Sequence, residues 1–460
     1  MKNKYVGASL FVILFAAYML IPVPAAYDGK EFKSLVFLAL CMVCWFTEFI
    51  PLGASAILIL ALPSVMGVAT LRETLAPFPN PILFFSIAAF ALSAALYKVP
   101  LAKRLLLFLF KIAGGDIKKI ILAVMSASFL ISSIMSNIPA TAMFIPICLS
   151  LLDIYDDEQK RRQTGRTIMV GLSLAGMIGG VITPAGSSNN LVSLSILEES
   201  AGMTVSFVNW FFICAPIAIV TLPVAWIILV RVFKPAEIDK SKVDEYITNL
   251  ESIPAVSGKE IAVAVIMLSM IVFWVLSSWF PDINPNVVAI VGMAIMFLPG
   301  IEIFTWKEFS EEVSWAVILM VGSVLCVGNI ILQSGITVWL DGIFISSHAG
   351  ISPVLLILQV AILIFVMQLI IPNGPAVIAS TTPLAIAAAQ TAGINPAMLT
   401  IPLCILASWT IILPLSAVPM VTYSTGYYKI SDIGRVGLPV LIIAALIMSA
   451  WVPFMTRAIL

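Results

Sequence analysis

The chain has 460 residues, of which 61 % are hydrophobic and 10 % charged, with a mean hydropathy of +1.12. Soluble domains carry roughly 25 % charge, so this composition excludes that class and marks an all-α polytopic membrane protein. Basic and acidic residues balance at 24 each, which leaves neither a nucleic-acid footprint nor an acidic tail.

The first apolar run, 5–23, follows Lys2 and Lys4 and ends in Pro22-Val23-Pro24-Ala25-Ala26. Those flanks fit a signal peptide, but the run is long for a signal core, and we read 1–32 as an uncleaved N-terminal helix. Further crossing helices are expected near 33–50, 53–69, 81–98, 167–196, 206–230, 259–280, 285–300, 314–332, 396–426 and 436–456. The runs 117–152 and 351–388 are too long for one span, and each carries a polar, proline-bearing break in its middle.

Charge orients them. Lys98, Lys103, Arg104 and Lys111 precede the first long run, Lys118 and Lys119 open it, and Lys160, Arg161, Arg162 and Arg166 follow it. Lys and Arg accumulate on cytoplasmic loops, so both ends are cytoplasmic and the run is a re-entrant hairpin. The segments 333–350 and 389–395 around the second run hold no Lys or Arg, so that hairpin enters from outside. The scheme gives about eleven crossings, with the N-terminus cytoplasmic and the C-terminus outside. It leaves Lys30, Lys33, Arg72 and Arg457 as the only basic residues on the outer side. Leu101 to Lys111 fits either an amphipathic helix in the inner interface or a plain connector.

Residues 33–233 and 259–460 then read as two repeats of opposite orientation, joined by a solvated cytoplasmic linker, 234–258. Each repeat holds a hairpin (117–152, 351–388) and a broken helix (167–196, 396–426). Inverted repeats with paired broken helices point to a secondary transporter with a midplane site.

The hairpin tips carry the chemistry. Ser136-Asn137-Ile138-Pro139-Ala140 is echoed by Pro372-Asn373-Gly374-Pro375-Ala376, with Asn-x-Pro-Ala common to both. Proline is tolerated at a helix start, so each tip aims a helix N-terminus, with its partial positive charge, at the midplane. Two opposed ends make an anion site without Lys or Arg. Ser132 and Ser136 stack on one helix face and, with Asn137, supply three oxygens for a cation. The matching second-half positions are Gln368, Pro372 and Asn373. The run Gly179 to Asn190 places small and polar residues inside an apolar segment. It reads as a broken helix offering oxygen ligands or, alternatively, as an extracellular loop between shorter spans. Its counterpart, Leu413 to Met420, has breakers but fewer oxygens. Glu48 lies near a helix end and either pairs structurally or carries protons.

Six cysteines lie in apolar runs as buried thiols; Cys41-Met42-Val43-Cys44 has redox spacing but lacks a βαβ context. A lone His348 builds neither a metal site nor a triad, and no intramembrane carboxylate pair offers an alternative, so the chain is read as no enzyme. A channel would line its pore with rings of like residues, whereas these breaks are paired.

The stretches Trp45-Phe46-Thr47-Glu48-Phe49-Ile50-Pro51-Leu52, Gly186-Ser187-Ser188-Asn189-Asn190 and Gly426 to Asp432, together with both tips, resemble the divalent anion:Na⁺ symporter family. That family transports dicarboxylates, citrate and, in some members, sulfate. The resemblance implies a homodimer in the lipid bilayer of the cell membrane, each protomer with a fixed scaffold and an elevator-like transport domain. It implies one Na⁺ at Ser132, Ser136, Asn137 and Gly186, and a second at Gln368, Asn373 and a carbonyl near Ala417. It also implies substrate contacts at Ser136, Asn137, Ile138, Ser187, Ser188, Asn373 and Gly374. Here Ile138 and Gly374 replace the family's tip threonines. The expected function is Na⁺-coupled transport of di- or tricarboxylates. The alternatives are Na⁺-independent exchange on the same fold, or transport of sulfate or another oxyanion.

Overall fold

The computed structural model describes residues 2–20, 29–47, 49–250, 255–280, 282–333, 351–370, 374–412 and 416–460, and these are helical with connecting turns. In order they are α1 (Lys2–Leu20), α2 (Gly29–Thr47), α3 (Leu52–Val65), α4 (Leu71–Leu75), α5 (Pro81–Lys98) and α6 (Leu101–Ala113). The first long run becomes α7 (Ile117–Ser132), α8 (Asn137–Ala142) and α9 (Ile145–Leu152). Then come α10 (Glu158–Gly179), a 3₁₀ turn at Pro184–Gly186, α11 (Ser188–Ala201), α12 (Phe207–Phe233) and α13 (Lys240–Leu250). The second half holds α14 (Gly258–Leu276), α15 (Pro285–Ile295), α16 (Trp306–Glu312), α17 (Trp315–Gln333), α18 (Pro353–Ile370), α19 (Gly374–Thr391), α20 (Ala397–Ser408), α21 (Ala417–Tyr423) and α22 (Ile430–Ile459).

Among the described residues, α5, α12, α14 and α22 are each long and apolar enough to cross a membrane alone. Shorter apolar helices, such as Asn137–Leu152, Pro285–Ile295 and Ala397–Ser408, accompany them. Leu268, Ile362 and Phe454 face outward at 62–64 % exposure, as side chains bathed in lipid do.

Local chemistry moves several expected boundaries. α10 starts at Glu158, earlier than the apolar pattern, because the Asp157 carboxylate caps it by accepting from the N–H groups of Gln159 (2.8 Å) and Lys160 (3.4 Å). α22 starts at Ile430 because the Asp432 side chain accepts from the Lys429 N–H at 2.9 Å.

The linker is the larger correction. Part of it is not solvated chain but α13, which buries Val243 and Ile247. Tyr246 donates to the Ile147 carbonyl at 2.8 Å, Lys242 pairs with Asp156 at 2.6 Å, and Tyr155 donates to the Ala236 carbonyl at 2.8 Å. The Asp156 carboxylate holds the Lys242 ammonium above its ordinary pKa. Amphipathic spacing of Val243 and Ile247, four apart, supplies the apolar stripe that docks the linker onto the foot of the first long run.

Helix packing is crosswise. Each broken helix packs its front half on its own hairpin arm: α10 on α7, and α20 on α18. Each continuation then packs on the return helix of the other half: α11 on α19, and α21 on α8. A second group, α3 with α17 and α5 with α15, packs beside this one, and α6 is tied to it by Arg104. Arg104 Nε lies 2.5 Å from Glu260 Oε1, and Glu260 is 2 % exposed.

Candidate functional site

The first break begins where α7 ends. Ser136 takes an extended backbone (φ −53°, ψ 135°) as the cap of α8, and Pro139 sits in the first turn, where its missing N–H costs no helical bond. The Ser136 N–H donates to Ser93 Oγ at 3.0 Å, which fixes the tip against α5.

The break in α10 frees backbone carbonyls, and buried carbonyls need partners. Ser132 Oγ donates at 2.6 Å to the Gly176 carbonyl, which also accepts the Gly180 N–H at 3.1 Å. Asn190 Nδ2 donates to the carbonyls of Gly180 and Thr183, both at 2.8 Å. Trp210 Nε1 donates to the Val181 carbonyl at 2.9 Å, and the Thr183 hydroxyl donates to the Ser133 carbonyl. Every residue from Gly179 to Ser187 is buried, so this run is a broken helix inside the protein and not an extracellular loop.

These bonds gather the expected first cation set. A Cβ on Gly180 would lie 2.6 Å from Asn137 Oδ1, and one on Gly186 would lie 2.7 Å from the Ser132 carbonyl oxygen and 2.6 Å from that of Gly180. Ser132, Asn137 and Gly186 therefore meet around Gly180, in a volume that admits no further side chain. Their hard oxygen donors suit Na⁺ chemically. Ser136 is half-buried and, with Ser188, Ser86 and Ala185, lines a cavity of about 20 Å³. Such a space holds about one water molecule. Ser187 is buried and caps α11, its hydroxyl accepting from the Asn189 N–H at 3.3 Å. Ile138 is 42 % exposed and makes no part of this cluster.

The second half is built differently. Pro372 and Asn373 lie outside the described residues, as do Glu48 and His348. Gln368, 4 % exposed, donates Nε2 to the carbonyls of Leu406 (2.5 Å) and Trp409 (3.4 Å), where α20 ends. Its Oε1 has no hydrogen-bond partner among the described residues. Ala417 is exposed at the start of α21, while the hydrogen bonds of Gln368 go to α20 and its end. Gly374 is buried, and a Cβ there would lie 2.7 Å from Asn189 Nδ2.

The sequence reading missed Ser93, Thr183 and the separate duties of Asn189 and Asn190. Ser86 and Ser93 stand two helical turns apart in an otherwise apolar α5. That polar stripe was the available signal.

The fold has solved counterparts. The Alcanivorax borkumensis YdaH transporter aligns with a TM-score of 0.60 at 14 % identity, over 93 % of this chain and 99 % of that one. Neisseria gonorrhoeae MtrF, described with a class of antimetabolite efflux pumps, aligns with a TM-score of 0.60 at 13 % identity, over 96 % and 97 %. The family model described as the sodium:sulfate symporter transmembrane region matches residues 2–456. The chain belongs to the sodium:sulfate symporter family. Family membership makes it a multi-pass membrane transporter and not an enzyme. Among relatives, a Cupriavidus necator membrane protein is 26 % identical over 95 % of this chain and 88 % of its own length. A Caenorhabditis elegans protein named sodium-dependent high-affinity dicarboxylate transporter 3 is 26 % identical over 98 % and 89 %. The Staphylococcus aureus sodium-dependent dicarboxylate transporter SdcS is 24 % identical over 97 % and 90 %.

Proposed function

We propose that this symporter-family chain is a secondary transporter that couples Na⁺ entry to uptake of small dicarboxylates. The observation that carries the reading is the cluster of Ser132, Asn137 and Gly186 around Gly180, where hydroxyl, amide and backbone oxygens converge beside a helix start. One Na⁺ is held there, with Ser136 completing the set. The anion lies between the two tips, against Ser136, Asn137, Ser187, Ser188 and Gly374. Helix N-termini and neutral donors offset its charge without a basic side chain. The names of the nematode and staphylococcal relatives support both the ion and the substrate class.

Crosswise packing supports two inverted repeats, since α11 meets α19 as α21 meets α8. The hairpins, broken helices, α12 and α22 form the moving unit. α3, α5, α14, α15 and α17 form the scaffold of a homodimer, and transport is elevator-like. A 20 Å³ cavity at Ser136 and Ser188 is too small for a dicarboxylate, so the tip separates from α5 to load its cargo. The protein resides in the cell membrane with its N-terminus cytoplasmic and its C-terminus outside, as the clustering of Lys and Arg supports.

The test is uptake of labelled succinate, citrate and sulfate into proteoliposomes, with an inward Na⁺ gradient or with choline in its place. Succinate uptake that collapses in choline is expected. Uptake unchanged by choline would replace symport with exchange, and sulfate uptake without succinate uptake would replace the substrate class.

A further inference from the structure

Asn189 and Asn190 stand side by side at the start of α11, yet they are engaged differently. Asn190 is fully buried and committed: its Nδ2 holds two carbonyls of the α10 break, and its Oδ1 lies 3.6 Å from the Cys404 sulfur, whose single hydrogen it shares with the Asn189 carbonyl. Asn189 is 9 % exposed, its backbone carbonyl accepts from Cys404 at 3.5 Å, and its carboxamide, although it makes no protein hydrogen bond among the described residues, is not among the wholly buried unpartnered atoms. A largely enclosed amide donor that no protein group engages and that is still reachable is free to take a ligand oxygen.

Where that donor stands is informative. A Cβ at position 374 would lie 2.7 Å from Asn189 Nδ2 and 2.9 Å from the Ala407 carbonyl oxygen. Position 374 is glycine because an amide from the other half of the protein occupies the space its side chain would need. Gly374 begins α19, an 18-residue helix, so the unpaired N–H₂ stands beside the positive end of a helix dipole. Both features attract the same ligand, a negatively charged oxygen.

We propose that Asn189 is a specificity-determining residue that donates to a substrate carboxylate at the second tip, across the seam between the halves. This rests on the anion-transport reading above and deepens it by naming the donor. A carboxylate presents two oxygens and sulfate four, so one N–H₂ donor beside a helix start satisfies a larger share of a carboxylate than of sulfate. Asn189 thus selects dicarboxylates, and it does so with a side chain from the first half acting on the tip of the second.

The test is transport by variants at the two positions, read in proteoliposomes with purified, monodisperse protein. Asn189→Ala is expected to raise the KM for succinate about tenfold, to change kcat less, and to narrow the preference for succinate over sulfate. Gly374→Ser is expected to lose uptake, because its side chain meets both the Asn189 amide and the Ala407 carbonyl. Asn189→Asp, which keeps the shape but replaces the donor with a carboxylate, is expected to lose succinate uptake. An unchanged KM in Asn189→Ala, or succinate uptake retained in Asn189→Asp, would overturn the assignment of Asn189 alone. Wild-type protein that carries none of the three anions would overturn the transport reading and this inference with it.

Discussion

Gln368 donates its amide to the carbonyl of Leu406 at 2.5 Å and so closes the end of α20, as Ser132 closes the end of α10 through the carbonyl of Gly176 at 2.6 Å. The two side chains hold corresponding places with different chemistry. A hydroxyl that donates keeps lone pairs on the same atom for a cation, whereas the donating nitrogen of an amide keeps none and only its oxygen can serve. Gln368 spends its nitrogen on the end of α20 and leaves Oε1 buried and without a partner among the described residues, so it brings one oxygen where the first half brings Ser132, Ser136 and Asn137.

Ion dependence should follow that asymmetry. Ser132→Ala is expected to raise the Na⁺ concentration for half-maximal uptake about tenfold. Gln368→Ala should shift it by less than about threefold, and should instead lower thermal stability by about 0.5–1.5 kcal/mol, since the carbonyls of Leu406 and Trp409 lose the amide donor but keep the N–H groups of Trp409 and Ile411. Na⁺ titration of succinate uptake, alongside thermal unfolding in detergent, separates the two. Equal Na⁺ shifts in both variants would make Gln368 a cation ligand after all.

Close approach around Gly180 predicts steep losses from small additions. A methyl on Gly180 would press on Asn137 Oδ1 from 2.6 Å, and one on Gly186 would press on two backbone carbonyls. Backbone yields less than a side chain, so Gly186→Ala should destabilise more, by about 1–3 kcal/mol, with Gly180→Ala below it. Both should abolish Na⁺-driven uptake. The check is melting temperature with transport; wild-type uptake in Gly180→Ala would show that Asn137 is free to move without consequence.

The twin asparagines should separate in stability measurements. Asn190→Ala removes the donor to the carbonyls of Gly180 and Thr183; the Thr183 carbonyl keeps the Gly186 N–H, so the main cost is about 1–3 kcal/mol for the Gly180 carbonyl left unsatisfied. Asn189→Ala, which removes no hydrogen bond of the described side chains, should leave the melting temperature close to that of wild type. Differential scanning fluorimetry of the two variants suffices to compare them.

Arg104 and Glu260 bind the amphipathic α6 to α14 with one carboxylate almost wholly buried. Removing the cation strands that charge, so Arg104→Ala should cost about 3–5 kcal/mol, while Glu260→Gln, which leaves no buried charge, should cost less. The order of the two melting temperatures is the measurement, and its reversal would mean that the carboxylate draws its stabilisation from elsewhere.

Much of this was legible in the sequence because membrane segments must satisfy their backbone internally, which makes long apolar runs and their interruptions readable. Pro139 and the Gly179 to Asn190 run marked real breaks, and the span 81–98 matches α5 to the residue. Linker helix α13 escaped because its stripe is only Val243 and Ile247 within a charged segment, too short for periodicity to stand out. Ser93 escaped because a serine inside an apolar helix is ordinary until its partner, the Ser136 N–H, is brought to it from another helix.

By itself the sequence determined that this is a helical membrane transporter with two long apolar runs interrupted by proline-bearing breaks, that the breaks proposed to hold the anion carry no basic side chain, and that the second half is poorer in hydroxyls. These follow from composition and local breakers, which act within a few residues. Only the tertiary structure decided that Asn190 closes the first break while Asn189 stands against Gly374, and that Gln368 caps α20. Hydrogen bonds reach about 3 Å, and nothing in chain order says which residue of one half will come within that distance of the other.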